Sequence, residues 1–353
     1  MDFLLQISPL TKLIIVFIFI VVLIKKRLSL GVALVIGTVL LGLWFKLSPL
    51  QIGSSIFRSI LAERTVILCI IVTLILILSH SMDKTGQMKR LLDSFRGISY
   101  NIRLNLALFP LLIGLLPMPG GAIFSAPMVD EIGDQESISA EQKTVINYWF
   151  RHIWEFCWPL YPGVILTCAL SGITFLTFVV VQIPLTIFAF LIGYLVHLRP
   201  IMNRKDNPSC ASRKGLKGFL VEVFPILLVV GGSGFFSGLL SVVCMVWSPA
   251  GLLPKEFSLI TALITGVLWV WWWNHVTFAD IRQIFFNRSL LSMVFMILGV
   301  MVFQGILNDS QAVSEISQSL TSYRVPFILV VTILPFLVGN IVGITVAFVG
   351  TTF

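Results

Sequence analysis

Leu116-Pro117-Met118-Pro119-Gly120-Gly121-Ala122 lies inside an apolar run covering 104–129. Two prolines and two glycines in seven residues forbid an unbroken helix there. Broken backbone at membrane depth is tolerated only where protein packs around it or where it lines a polar cavity. In transporters such breaks hold substrates and ions, and they come in pairs, one per structural repeat. A second stretch of this chain has the same order. One constant shift lays Phe109-Pro110-Leu111-Leu112-Ile113-Gly114 on Leu334-Pro335-Phe336-Leu337-Val338-Gly339. It also lays Ala122 on Ala347, Asp83 on Asn308 and Leu104 on Leu329, so the first break answers to Gly343-Ile344-Thr345-Val346-Ala347.

The surrounding composition fits an all-helical, multi-pass membrane protein and excludes an ordinary soluble domain. Of 353 residues, 57% are hydrophobic and 11% charged, and the mean hydropathy is +1.00. Apolar runs of spanning length fall near 9–24, 28–45, 65–80, 145–170, 173–198, 219–247, 257–273 and 289–305. The broken runs 104–129 and 326–353 complete the set. The first run ends in Lys25-Lys26-Arg27 without a small-residue cleavage site, which reads as a stop-transfer pattern and not as a signal peptide. Five cysteines without CxxC spacing indicate neither a disulfide framework nor a metal site. The formal charge of +8 sits in loops, so membrane orientation accounts for it and nucleic acid is not implied. Walker A, HExxH and GxSxG patterns are absent from the sequence, so ATP-driven pumping and hydrolysis by those routes have no support, and an enzyme is not expected.

Loop charge decides how 104–129 is threaded. If it crosses fully, the basic loop 199–218 falls outside and the positive charge is spread over both sides. If it re-enters, the basic loops 25–27, 81–103, 199–218 and 274–288 all face the cytoplasm, as the positive-inside rule favours. Two half-helices of about 18 Å each would then meet at the Pro/Gly tip. The first hairpin enters from the cytoplasm and the second, near 326, from outside, which is an inverted repeat. The chain thus reads as one transmembrane domain. Residues 1–64 are N-terminal helices. Residues 65–198 form a first repeat with hairpin 104–129 and broken helix 145–170. Residues 219–353 form a second half with an incomplete hairpin, 326–353.

The polar residues inside apolar segments are the candidate site. Asn147, Arg151 and Glu155 recur every four residues and would share one face of a helix. Pro159, Pro162 and Gly163 break that helix just beyond them. Arg151 offers a planar fork to a carboxylate or oxyanion, and Glu155 or His152 can carry a proton. A self-neutralising Arg151–Glu155 pair that fixes packing is an equal reading. At the first tip Pro119, Gly120 and Gly121 leave backbone N–H groups open to an anion, and Ser125 adds a hydroxyl. At the second, Asn340, Gly343 and Thr345 supply oxygens or open backbone.

The strings LPMPGGAIFSAPMV (116–129), NYWFRHIWEFCWPLYPGVIL (147–166) and GNIVGITVAFVGTTF (339–353) resemble an uncharacterised prokaryotic family of roughly ten-helix membrane proteins. That family is placed within the ion transporter superfamily, beside citrate, gluconate and dicarboxylate carriers, arsenite exporters and sodium/proton antiporters. The resemblance implies inverted repeats, each with a re-entrant hairpin followed by a discontinuous helix, and substrate and sodium sites at the tips and breaks. By position it points to Pro119, Gly120, Gly121 and Ser125, to the break after Glu155, and to Gly343 through Thr345. Against that pattern the second hairpin stops at Phe353 and its discontinuous helix is missing, so a shortened chain is expected.

The expected function is secondary active transport of a small anion or organic acid across the cytoplasmic (inner) membrane, coupled to sodium or protons. The expected partners are that solute, the bilayer and, as in the resembled superfamily, a second copy in a homodimer. Cation/proton antiport is the alternative within transport. An intramembrane enzyme, for which Ser125 with His152 is the one plausible pair, or a non-transporting scaffold are the alternatives from other classes.

Overall fold

A computed structural model of the chain describes residues 8–96, 101–117, 121–135, 138–201, 213–247 and 256–322, with isolated positions beyond 322. The described residues are helical and include no strand. In chain order the helices are α1 (Pro9–Lys25), α2 (Leu30–Trp44), α3 (Pro49–Leu61), α4 (Glu63–Lys84), α5 (Gln87–Arg96), α6 (Ile102–Gly114), α7 (Gly121–Gln135) and α8 (Ala140–His152). A 3-10 turn (Ile153–Phe156) follows, then α9 (Pro162–Ser171), α10 (Phe175–Gly193) and a π-turn (Tyr194–Leu198). The chain continues through α11 (Arg213–Trp247), α12 (Phe257–Trp273), α13 (Phe278–Phe285), α14 (Arg288–Asp309) and α15 (Ala312–Ser322). Four helical segments are long and apolar enough to cross a bilayer: Glu63–Lys84, Phe175–Leu198, Leu216–Leu240 and Phe278–Asp309.

Both expected interruptions are present as gaps between helices. The run 104–129 divides into α6 and α7, and the run 145–170 into α8, the 3-10 turn and α9. Hairpin 326–353 lies almost wholly outside the described residues. The short helix α3 was not among the expected elements. Its signals are local: Pro49 opens it, and Ser48 and Gln51 form a reciprocal capping box. Several helices end on a non-glycine residue in left-handed backbone, among them Arg27 (φ 66°) after α1 and Lys46 (φ 65°) after α2. Leu28 N–H bonds Leu23 O at 3.2 Å and Leu47 N–H bonds Gly42 O at 2.9 Å, closing Schellman motifs. A cation at that position also suits the negative end of the helix dipole.

The chain divides into two compact units. The first holds α1 to α3, the start of α4, residues 169–172, and α14 and α15. Here continuous helices cross at small residues. A Cβ on Gly31 would lie 2.8 Å from Phe295 O, and one on Gly299 would lie 3.0 Å from Gly31 O, so α2 and α14 touch backbone to backbone. Small residues permit such approach between apolar helices.

The second unit holds Ile71–Cys168 and Ile173–Asn287. One apolar cluster gathers Leu106, Leu111, Val129, Ile146, Phe150 and Leu198, tying α6, α7, α8 and the π-turn together. Elsewhere in the unit Arg90 of α5 donates to both carboxylate oxygens of Glu222 on α11, at 2.8 and 3.3 Å. It also donates to Asn274 Oδ1 after α12, at 2.5 Å. Gln87 completes that network with bonds to Glu222 O and Asn274 Nδ2.

Candidate functional site

Helix α6 ends at Gly114 and α7 starts at Gly121, so carbonyls at one end and N–H groups at the other lack partners along their own helices. Leu115 and Leu116 N–H close on Leu112 O and Ile113 O at 3.2 Å, and other carbonyls are reached from α8 and the segment after it. Trp154 Nε1 donates to Leu111 O at 2.9 Å, and Trp158 Nε1 donates to Leu115 O at 2.8 Å. Arg151 Nη2 reaches Leu116 O at 3.5 Å, while Nη1 donates to the Tyr161 hydroxyl at 2.6 Å. The Arg151 cation therefore sits at the carbonyl end of α6, where a helix dipole favours positive charge. The two indoles pack against each other, with centroids 5.1 Å apart.

Glycines make the approach possible. A Cβ on Gly114 would meet Arg151 O at 2.6 Å and Trp154 Cδ1 at 2.9 Å. A Cβ on Gly121 would meet Arg151 Nη2 at 2.5 Å and Nε at 2.6 Å. The guanidinium thus lies directly on the first residue of α7, between the end of α6 and the start of α7.

Helix α7 is stitched to α8 one turn away. Asn147 Nδ2 donates to Ala122 O at 2.8 Å, and Ser125 Oγ donates to Asn147 Oδ1 at 2.5 Å. Ser125, Asn147 and Arg151 are all buried, as is Tyr161. Four residues expected at the site, Gly121, Ser125, Asn147 and Arg151, are therefore brought together. Pro119, Gly120, Asn340, Gly343 and Thr345 lie outside the described residues.

His152 and Glu155 behave differently. The α-helix stops at His152, and Glu155 falls in the 3-10 turn. A 3-10 turn advances about 120° per residue instead of about 100°, so the expected alignment of Glu155 with Asn147 and Arg151 does not hold. The Glu155 carboxylate lies 3.9 Å from His152 Nε2, and both side chains are part-exposed. His152 Nδ1 is 2.7 Å from Tyr148 O, and its ring packs on Tyr148. The partners of Ser125 Oγ are Asn147 Oδ1 at 2.5 Å and Ala122 O at 3.3 Å, and neither is this imidazole.

The sequence reading missed Gly114, Trp154, Trp158 and Tyr161. A signal for the tryptophans existed: an indole N–H in an apolar segment needs an acceptor, and a broken helix supplies orphaned carbonyls. Trp149 follows the same rule, donating to Ala189 O at 3.0 Å just before the π-turn, where Gly193 leaves room for it. Chemically, the arrangement gathers a cationic fork, a phenol, an amide and the N-terminal turn of α7 at one buried place. Such a set suits a small anion or a carboxylate more than a metal.

A comparison with curated proteins found no match. Over residues 8–353 the sequence matches a family described as "Protein of unknown function (DUF401)", and the chain belongs to that family.

Proposed function

We propose that this chain is a secondary transporter of a small anion or organic acid across the cytoplasmic membrane, driven by a sodium or proton gradient. The observation that carries the reading is Arg151, buried between the carbonyl end of α6 and the first residue of α7 in a strongly apolar chain. An ionisable group within the apolar part of a membrane protein is costly and usually serves a cavity or a partner. Broken helices converging on it are the usual setting of a transporter's solute site. In this reading α6 and α7 form a re-entrant hairpin, α8 and α9 form a discontinuous helix, and an inverted counterpart lies toward the C-terminus. Alternating access moves this arrangement against the rest of the protein, as a monomer or within a homodimer.

The test is uptake into proteoliposomes of radiolabelled mono-, di- and tricarboxylates and oxyanions, under imposed sodium or proton gradients. Arg151→Lys keeps the charge and loses the fork; uptake of the accepted solute falls by about tenfold or more. Unchanged uptake by Arg151→Lys and Arg151→Ala would reduce the arginine to a packing element. The threading has its own check. A single cysteine at the exposed position Glu141, in a cysteine-free background, resists an impermeant maleimide until cells are opened. Labelling of intact cells would make 104–129 a full crossing and remove the inverted relation.

Cation/proton antiport is a second reading with its own observation, the part-exposed His152–Glu155 pair at the end of α8. In that case Glu155→Gln abolishes exchange while Arg151→Lys retains it.

A further inference from the structure

Helix α13 turns aromatic rings outward. Phe278, Phe285 and Phe286 are 84%, 43% and 73% exposed, and with exposed Arg282 they fall at one-turn spacing along a single face. Just before it, Trp272 and Trp273 at the end of α12 are exposed as well. The inward side is fully occupied. Ile284 is buried, Asp280 Oδ1 pairs with Lys84 Nζ at 2.9 Å, and Lys84 also donates to Gln283 at 2.5 Å. The other oxygen of Asp280 caps the helix, accepting from Thr277 N–H and Oγ1.

Scattered exposed hydrophobics are ordinary, whereas a contiguous aromatic patch marks an interaction surface. This helix is also surplus to membrane crossing. Helix α14 alone has 22 residues, about 33 Å, enough for the hydrocarbon core. A break at Phe286 and Asn287 separates the two. The helix's one carboxylate, Asp280, is turned inward to Lys84, so the outward face carries a cation and no acid. A second copy docked symmetrically on this face would oppose Arg282 to Arg282 with no acid between them.

We propose that α13 lies at the membrane surface as an interfacial helix, its phenylalanines in the acyl boundary and Arg282 on the phosphate of an anionic phospholipid. Interfacial helices combine an apolar aromatic face with basic residues in this way. The aromatic belt begun by Trp272 and Trp273 continues into it.

The test uses the full chain in nanodiscs holding one protein each. Nitroxides are placed singly at 278, 281, 282, 283, 285 and 286, and their collisions with oxygen and with a water-soluble nickel chelate are compared. Oxygen dominates at 278, 285 and 286, and the ratio oscillates with a helical period. Nickel dominance at those three positions would put the face in water, and exclusion of both reagents would put protein over it; either overturns the proposal. In discs containing spin-labelled phosphatidylglycerol or phosphatidylcholine, Arg282→Gln reduces the preference for the anionic lipid by about fivefold. An unchanged preference overturns the assignment of Arg282.

Discussion

Two buried meeting places in this protein use glycine for opposite ends. At the α2–α14 crossing, Gly31 and Gly299 let two unbroken helices touch, and the backbone there is satisfied within each helix. At the α6–α7–α8 junction, Gly114 and Gly121 let side chains reach backbone that the helices have left unsatisfied. The first place is sensitive to volume alone. The second is sensitive to volume and to the loss of single donors. A membrane protein spends buried donors on open backbone where an interruption is wanted, so the second place is the one to search for function.

Volume tests both places and gives the largest effects. Gly31→Ala drives a methyl into Phe295 backbone, and Gly114→Ala drives one into Arg151 backbone. Neither neighbour can rotate away, and each substitution lowers the unfolding free energy in a detergent titration by about 3 kcal/mol. Gly121→Ala is milder for stability, since its obstacle is the tip of the Arg151 side chain. Equal losses at Gly114 and Gly121 would mean that the guanidinium is as immobile as backbone.

Donor removal separates the two places. Trp154→Phe keeps the ring in the junction and strips the N–H from Leu111 O; Trp158→Phe does the same for Leu115 O. Each leaves a carbonyl unpaired and costs about 2 kcal/mol. Phe295→Leu at the other crossing removes no hydrogen bond and changes stability by less than that. If the tryptophan variants are as stable as the parent, water already serves those carbonyls and the junction is wetter than its burial implies.

Much of the fold was legible because prolines and glycines act locally. The string LPMPGGA required an interruption, and α6 and α7 stop and start at its edges. The second interruption begins with a change of helix type after His152, and residues 157–161 before α9 are not helical. Pro159 lies in that gap, whereas Pro162 opens α9 as its first residue, where a missing N–H costs nothing; the indoles that donate to the end of α6 lie between α8 and α9. Periodicity assumes that the helix type does not change, so the spacing of Glu155 from Arg151 is not that of an α-helix. Asn147 and Arg151 were legible as a shared face since both precede the change. Tyr161 was not, because its contact to Arg151 spans the break, and no helical spacing predicts contacts across one. Residues 340–345 remain a matter of sequence.

The smallest effect bears on the enzyme alternative. Ser125→Ala removes a donor from Asn147 Oδ1, while the amide's other bond, to Ala122 O, still fastens α7 to α8. The stability loss is about 1 kcal/mol, and uptake is retained within about twofold, the outcome expected of a hydroxyl that serves to brace Asn147. Asn147→Leu deletes both bonds and costs more, so the pair of variants grades the stitch. An enzyme makes the opposite demand. If Ser125 were a nucleophile, its removal would abolish activity outright and leave the fold nearly untouched. The two outcomes differ in kind, so one substitution separates a brace from a catalyst even before the solute is known.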